Sequence, residues 1–167
     1  MAYSVIPKTK RDGTLKLQDN LGTELTVSYT NGDMTFTPTK SAQVLVRSRG
    51  VIQNVRKGDD EAAASGSFSY HFRQFTDGSE AGAVLDFINK TGLYSSNQST
   101  GGSGSPRVEE YCIDIVLQVA GSAHGDDADH SVTLTKCICN ASFAEGDVDA
   151  MTIDFTTFGT VTYSGPA

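Results

Sequence analysis

The chain has 167 residues, with 20 acidic and 13 basic side chains and a formal net charge of −7. This length predicts one domain with a sizeable core, and the ordinary charged content excludes a collagen-like or strongly disordered protein. No apolar run approaches the roughly 18 residues that span a membrane, and the first residues lack the regions of a secretory signal, so we expect a soluble protein without membrane contact.

The acidic balance also limits the partners of the chain. The sequence pI is about 4.8, whereas tight binding to nucleic acid is built from Lys and Arg side chains on phosphates. We therefore expect duplex DNA to bind poorly at physiological salt.

The first segment with a period of two lies around an Asn-Gly pair. Leu25, Val27 and Tyr29 precede Asn31-Gly32, and Met34 and Phe36 follow it. Asn-Gly between two alternating runs is a strong hairpin signal, because both central residues of a type I′ turn need positive φ. The pattern predicts a β-hairpin over residues 23–38 with one apolar face and one face rich in Thr and Ser.

Six further runs alternate in the same way and predict strands. Their apolar residues are Val44 and Val46; Phe68, Tyr70 and Phe72; Tyr111, Ile113, Ile115, Leu117 and Val119; Val132, Leu134 and Ile138; Met151, Ile153 and Phe155; Val161 and Tyr163. The alternation slips near Lys136, which predicts a β-bulge. One apolar and one polar face on each strand indicates antiparallel sheets.

One segment has a helical period instead. Ala81, Val84, Leu85 and Ile88 share one face and predict a helix over about residues 79–91. Gly92 fits the left-handed position that ends such a helix. We expect the helix to cover an open end or face of the sheets.

Three segments have the composition of mobile loops within this β-rich unit. They are residues 57–66, the Ser/Gly-rich residues 95–106 and the acidic residues 121–130. Together with an N-terminal arm over about 1–13 and a C-terminal arm over about 159–167, they describe a single domain that covers residues 1–167.

The residues that could carry chemistry do not form a recognisable site. Cys112, Cys137 and Cys139 are an odd number of cysteines and are expected to be reduced thiols. Cys137 and Cys139 with His124 and His130 could be read as a metal site, but zinc sites usually have a second matching cysteine pair. No catalytic, phosphate-binding or dinucleotide motif is found, so we predict no enzyme, no cofactor and no metal.

The middle of the chain resembles a known family. The relevant motifs are Arg49–Asp60, Ser65–Ser69, Leu85–Ile88, Tyr111–Ile115 and Ala141–Asp147. In this order they resemble the tail tube (major tail) proteins of long-tailed bacteriophages with flexible, non-contractile tails. The similarity runs from the Asn31-Gly32 pair to Gly159.

The resemblance implies a mainly β protein, an antiparallel β-sandwich or half-barrel with one flanking α-helix. It implies hexameric rings that stack into a hollow tube, through which the genome passes into the host without binding tightly. The implied partners are further copies of the chain and the tape measure, tail tip and tail terminator proteins. The protein would be assembled in the host cytoplasm and reside in the virion tail.

Residues 50–66 are the predicted device for contacts between subunits. Cations stand directly before acids there, and such a segment can pair with the same loop of an adjacent copy. The alternative is an ordinary solvated turn, and the sequence leaves both open. The candidate residues are Arg49, Val51, Ile52, Val55, Arg56, Lys57, Asp59, Asp60 and Glu61.

Two other functions remain open from the sequence. The same sheets could serve a capsid decoration protein or an adhesin-like binding module, in which case the protein would not assemble into tubes. An enzyme of unrecognised type would need a pocket with converging titratable groups.

Overall fold

The computed structural model describes residues 13–27, 34–38, 43–58, 63–71, 80–102, 110–121, 129–143 and 150–165. Within these ranges the chain forms ten β-strands, one α-helix and a short 3-10 helix at Gly92–Tyr94. The strands are β1 (Gly13–Gln18), β2 (Glu24–Val27), β3 (Thr35–Thr37), β4 (Gln43–Ser48), β5 (Val51–Lys57), β6 (Ala64–His71), β7 (Ile113–Val119), β8 (His130–Phe143), β9 (Ala150–Thr157) and β10 (Val161–Ser164), and the helix is α1 (Glu80–Asn89).

Eight of these strands form one antiparallel sheet, which confirms the predicted fold class. Its order is β2-β1-β7-β8-β9-β6-β3, and β10 pairs with β8 beside this path. The other two strands, β4 and β5, form a separate two-stranded hairpin. The predicted strands at Val44, Phe68, Ile113, Leu134 and Ile153 are all confirmed.

The long strand β8 belongs to two halves of the sheet. Residues 130–134 pair with β7 on one side and with β10 on the other. Residues 137–143 pair with β9. We call β2, β1, β7, β8 and β10 the five-stranded half, and β8, β9, β6 and β3 the four-stranded half.

A bulge at Lys136 joins the two halves, as the slip in alternation predicts. Lys136 has φ 56, and the β7–β8 register shifts at this point, from Ile113↔Cys137 to Ile115↔Leu134. The extra residue places Leu134 and Cys137 on the same buried face although they are three residues apart. On the other side of β8, the break between β9 and β10 packs Gly159 against Thr135 so closely that a Cβ there would overlap it.

The core lies on one face of the sheet and under α1. Leu15, Ile115, Phe68 and Ile153 come from both halves and belong to one hydrophobic cluster. The helix adds three side chains to it, Val84, Phe87 and Ile88. Burying an apolar side chain of this size contributes about 1.5–3 kcal/mol, so the helix is an integral part of the fold.

The end of α1 differs from the predicted one. The N–H of Thr91 donates to the carbonyl of Asp86 at 2.9 Å, and Lys90 has φ 55. This bond pattern makes Lys90, rather than Gly92, the left-handed residue directly after the helix. Gly92 is also left-handed, and it packs where a Cβ would overlap the Asp86 carboxylate.

The carboxylate of Asp19 connects the β1–β2 turn to the segment after the 3-10 helix. Its Oδ1 accepts hydrogen bonds from the backbone N–H of Leu21 and Thr23 at 2.9 and 2.7 Å. Its Oδ2 accepts from the N–H of Gln98 at 3.1 Å. Asp19 is only 6% exposed, so these three bonds satisfy a charge that has lost most of its water.

The cysteines are free thiols that pack as core residues. Cys112 and Cys137 are buried and Cys139 is half-buried. The sulfur of Cys137 lies 3.2 Å from the hydroxyl oxygen of Thr157. Burial raises the pKa of Cys137 to about 12, so this thiol stays protonated and unreactive at neutral pH.

The predicted hairpin over residues 23–38 is wrong. β2 pairs with β1, and β3 pairs with β6, so the two strands lie at opposite ends of the sheet path. Asn31-Gly32 lies outside the described residues. A further strand, β1, was not predicted and carries the buried Leu15 and Leu17.

Parts of the predicted loops and of the predicted C-terminal arm are ordered in the described residues. Lys57 ends β5 and residues 64–66 belong to β6, while His130 begins β8. Residues 95–102 are fixed, since Asn97 is buried and the Ser99 hydroxyl accepts a hydrogen bond from the N–H of Cys112 at 2.9 Å. Residues 161–164, which lie in the predicted C-terminal arm, pair with β8 as strand β10. Residues 59–62, 103–109 and 122–128 lie outside the described ranges.

Replacing Asp19 should destabilise the fold because three backbone donors lose a charged acceptor. For Asp19→Ala we expect the free energy of unfolding to fall by roughly 2–4 kcal/mol, measured by urea denaturation. Asp19→Asn keeps one acceptor oxygen and should lose less. The exposed Asp154→Ala is the control and should stay within about 0.5 kcal/mol. Equal stability of Asp19→Ala and the parent would contradict the assigned role.

Cys137 should react with a thiol reagent only when the protein unfolds. A Cys112→Ser, Cys139→Ser variant leaves this thiol alone, and its burial and raised pKa predict protection at pH 8. The measurement is the rate of reaction with an aromatic disulfide reagent, with and without urea. Rapid reaction of the folded variant would show that the thiol is accessible.

Candidate assembly surfaces

The β4–β5 hairpin (Gln43–Lys57) is the most exposed element in the described part of the chain. Every one of its residues is exposed. Within the described ranges the two strands pair only with each other, from Gln43↔Lys57 to Ser48↔Val51. An isolated two-stranded hairpin is marginally stable in water, so this element lacks the support that the other strands receive from the sheet.

The turn of the hairpin has a geometry that suits its twist. Arg49 and Gly50 are the two loop residues, with φ 49 and φ 82. Positive φ at both positions is typical of a type I′ turn, which matches the right-handed twist of the flanking strands. A shift in register between Val46 and Arg47 adds a bulge near the turn.

Apolar side chains occur on both faces of the hairpin. Cross-strand partners point to the same side, so Leu45 and Val55 share one face and Val44 and Val46 lie on the other. Ile52 extends the first face, across from Arg47, and Val51 extends the second, across from Ser48. The six apolar side chains are between 41% and 61% exposed.

The charge of the hairpin is opposite to that of the rest of the protein. Residues 43–58 contain four cations and no acid. The remaining chain holds nine basic and 20 acidic side chains, a net charge of −11. The four cations are Arg47, Arg49, Arg56 and Lys57.

Six of the nine predicted contact residues fall on this hairpin. Arg49 lies in the turn, and Val51, Ile52, Val55, Arg56 and Lys57 lie on β5, all exposed. Asp59, Asp60 and Glu61 lie outside the described residues. The prediction missed β4 as the other half of the same surface, although the run Val44-Leu45-Val46 places apolar side chains on both faces of a strand.

Among the described residues, the four-stranded half has two open edges. There, β3 is the last strand of the sheet, and its partner is β6. At the other side, the pairing of β7 with β8 ends at Cys137, so within the described ranges no strand pairs with the outer edge of residues 138–142. Open edges of this kind present backbone donors and acceptors to another chain.

The outward face of the four-stranded half is rich in hydroxyl groups, and we call it the hydroxyl face. The Oγ atoms of Thr35 and Ser67 lie 3.0 Å apart, and those of Ser69 and Thr152 lie 3.3 Å apart. Asp154 is the one charged side chain among the described residues of this face. By strand register the face comprises Thr35, Thr37, Ser65, Ser67, Ser69, Ile138, Asn140, Ser142, Thr152, Asp154 and Thr156.

Other kinds of site are not found in the described residues. No three His, Cys, Asp or Glu side chains form a group there that could hold a metal ion. Among the described helices, none has the length and apolar character needed to cross a membrane. The surfaces that stand out are therefore the hairpin, the two open edges and the hydroxyl face.

No protein-family model matches the sequence, and no curated protein is significantly similar to it. Solved structures do have the same fold. One is the tube-terminating cap of the anti-feeding prophage, with a TM-score of 0.63, 12% identity, and coverage of 99% of this chain and 95% of that chain.

Two similar structures come from PVC, an extracellular contractile injection system. The sheath/tube terminator has a TM-score of 0.59 and 12% identity, with 95% of this chain and 97% of that chain covered. The sheath–tube complex has a TM-score of 0.59 and 11% identity, with 97% and 94% covered. The described part of the chain thus has the antiparallel β fold of tail-tube-type proteins, with one α-helix.

Proposed function

We propose that this protein is a structural, non-enzymatic subunit of a phage tail tube, in which copies form hexameric rings that stack into a hollow conduit. The observation that carries the proposal is the pair of open edges on the four-stranded half. The fold likeness to tube and tube-terminator proteins supports it. From the resemblance of residues 49–147, we assign it to a long, non-contractile tail and expect tails without a sheath by electron microscopy.

The direction of the strands suits ring closure through these edges. β8, β9, β6 and β3 alternate in direction, so β3 and β8 run opposite to each other. When β3 of one copy meets residues 138–142 of the next, the new pair is antiparallel. A head-to-tail contact of this kind repeats at every interface until the ring closes.

The five-stranded half is less suited to ring closure. β2, β1, β7, β8 and β10 also alternate, and with an odd number of strands β2 and β10 run in the same direction. Joining these edges would create parallel pairs, which are slightly less stable per residue than antiparallel ones. The four-stranded half is therefore the favoured ring surface.

The same arrangement favours one face as the lining of the conduit. The core and α1 lie on the side of the four-stranded half opposite to the hydroxyl face, so they fit on the outside of a closed ring. The hydroxyl face then turns inward. It presents neutral hydroxyls and a repeated Asp154 carboxylate, and such a surface repels phosphate and gives DNA no cation to bind.

Engineered disulfides test the ring contact. Double variants with Cys at Thr35 or Thr37 and at Asn140 or Ser142 place thiols on the same face of the two edges. The double variant whose two positions face each other across the contact should, on oxidation, link the copies into a ladder of products up to the hexamer. The ladder is read on a non-reducing gel. Cys112 and Cys137 are buried, and the half-buried Cys139 is replaced in the background by Cys139→Ser.

Single-cysteine variants at the same four positions are the controls and should give no product beyond a dimer. If none of the four double variants gives a ladder under conditions in which microscopy shows rings, the ring is closed by other strands. If the parent is monomeric at every concentration and no tube forms, the proposed function is wrong.

The charge of the conduit is tested at Asp154. This side chain is exposed, so Asp154→Lys should leave the fold and the tubes intact while it adds a ring of cations to the lumen. We expect these tubes to retain DNA at low salt, measured by co-sedimentation, and to release it as salt rises. Asp154→Asn is the neutral control and should retain none. Tubes of Asp154→Lys that bind no more DNA than the parent would place this face outside the lumen.

A further inference from the structure

We infer that residues 1–12 dock on their own subunit, where they cover an apolar strip at one end of the five-stranded half. Residues 1–12 lie outside the described residues. The inference concerns the single subunit, so it goes beyond the proposed function and does not depend on it. The strip faces the same side as the core and comprises Leu117, Val119, Val132 and Tyr163.

The exposure of the side chains rises across the row to which the strip belongs. Cross-strand partners point to the same side, and this row runs from Leu15 on β1 through Leu117 and Val132 to Tyr163 on β10. Leu15 is 0% exposed, on the side where α1 contacts β2, whereas Tyr163 is 67% exposed. The core-facing side of an antiparallel sheet is normally covered, so the β10 side of this row lacks a cover among the described residues.

The connectivity of the chain selects the occupant. Gly13 pairs with Val119, so residues 1–12 leave the sheet directly beside the strip. Ile6 precedes Gly13 by seven residues, which span at most about 23–25 Å. The distance across the sheet from β1 to β10 is three strand spacings, about 14 Å, so the segment is long enough to reach Tyr163. The apolar side chains that it brings to the strip are Tyr3, Val5 and Ile6.

The charges at this end of the sheet support the same occupant. Residues 1–12 have a net charge of +2, whereas the rest of the chain has −9. Asp129 is exposed and directly precedes β8, whose first residue pairs with Val119 beside the strip. Opposite charges of this kind favour docking in one orientation. The cations of the segment are Lys8, Lys10 and Arg11.

The short connection favours the strip of the same subunit over that of another copy. A segment joined to its binding surface by a few residues has an effective concentration of about millimolar. A second copy would have to reach a comparable concentration to compete. The cover should therefore form in the monomer and should not depend on protein concentration.

A tryptophan reporter tests the cover, because the chain contains no Trp. Tyr163→Trp places the indole on the strip, and Phe158→Trp places it at an exposed position outside the strip. Tyr163 and Phe158 are 67% and 56% exposed, so an open strip would make the first indole the more accessible to acrylamide. A cover reverses this order. We expect the lower quenching constant and the shorter emission wavelength for Tyr163→Trp, in protein that sediments as a monomer.

Variants of the segment identify what covers the strip. Val5→Ser, Ile6→Ser, added to Tyr163→Trp, should raise its quenching constant above that of the control tryptophan, because the segment loses the apolar side chains that hold it. Ser4→Ala, Thr9→Ala is the matched pair of polar positions and should leave the quenching constant unchanged. Neither pair should affect the control tryptophan.

Three outcomes would overturn the inference. The first is a Tyr163→Trp indole that is more accessible than the control. The second is protection that survives Val5→Ser, Ile6→Ser, which would mean that another segment covers the strip. The third is protection that appears only as the protein concentration rises, which would assign the cover to a neighbouring copy. The edge disulfides report separately on the proposed function.

Discussion

The register shift in β8 at Lys136 is the constraint on which both halves of the sheet depend. In a regular strand, residues three apart point to opposite faces. Leu134 and Cys137 are both buried only because the bulge inserts one residue between them. Without it, either Leu134 with β7 or Cys137 with β9 would face solvent, and one half of the sheet would lose its place in the core.

The strands on either side of β8 accommodate this bulge in different ways. β7 stays continuous, and the side chain of Asp114 accepts a hydrogen bond from the N–H of Lys136 at 3.0 Å. The strand on the opposite side is interrupted between β9 and β10. There the N–H of Phe158 donates to the carbonyl of Lys136, and the N–H of Gly159 donates to that of Thr135, both at 3.1 Å. The backbone groups freed by the bulge are thus satisfied by neighbouring strands.

Features with a local period could be predicted from the sequence. The runs around Ile113 and Ile153 alternate because one face is buried, and α1 has its apolar residues on one side for the same reason. The slip at Lys136 is also a local signal. In contrast, Asn31-Gly32 indicates a turn, but a turn signal does not determine which strands pair. The flanking strands β2 and β3 pair with β1 and β6 instead of with each other. That choice depends on the core contacts of β1 and β6, which are distant in sequence.

The candidate surface was only partly predictable, for a related reason. A charged segment after Val51 and Ile52 indicates a projecting loop, and β5 does project. Alternation alone does not reveal that β4 and β5 leave the sheet, because an unsupported hairpin has the same period as a supported one. The Ser/Gly composition of residues 95–102 indicates a linker, yet two hydrogen bonds fix this segment. Asp19 accepts one from the N–H of Gln98, and the Ser99 hydroxyl accepts the other from the N–H of Cys112.

The even number of strands in the four-stranded half has a consequence for how such a protein can change over evolution or by design. A loop that lengthens, or a domain inserted in a turn, leaves the direction of β3 relative to β8 unaltered. Adding or deleting one strand at either open edge would reverse that direction and make a head-to-tail contact parallel. We therefore expect the fold to accept strand pairs at these edges, such as a whole hairpin, and to reject single strands.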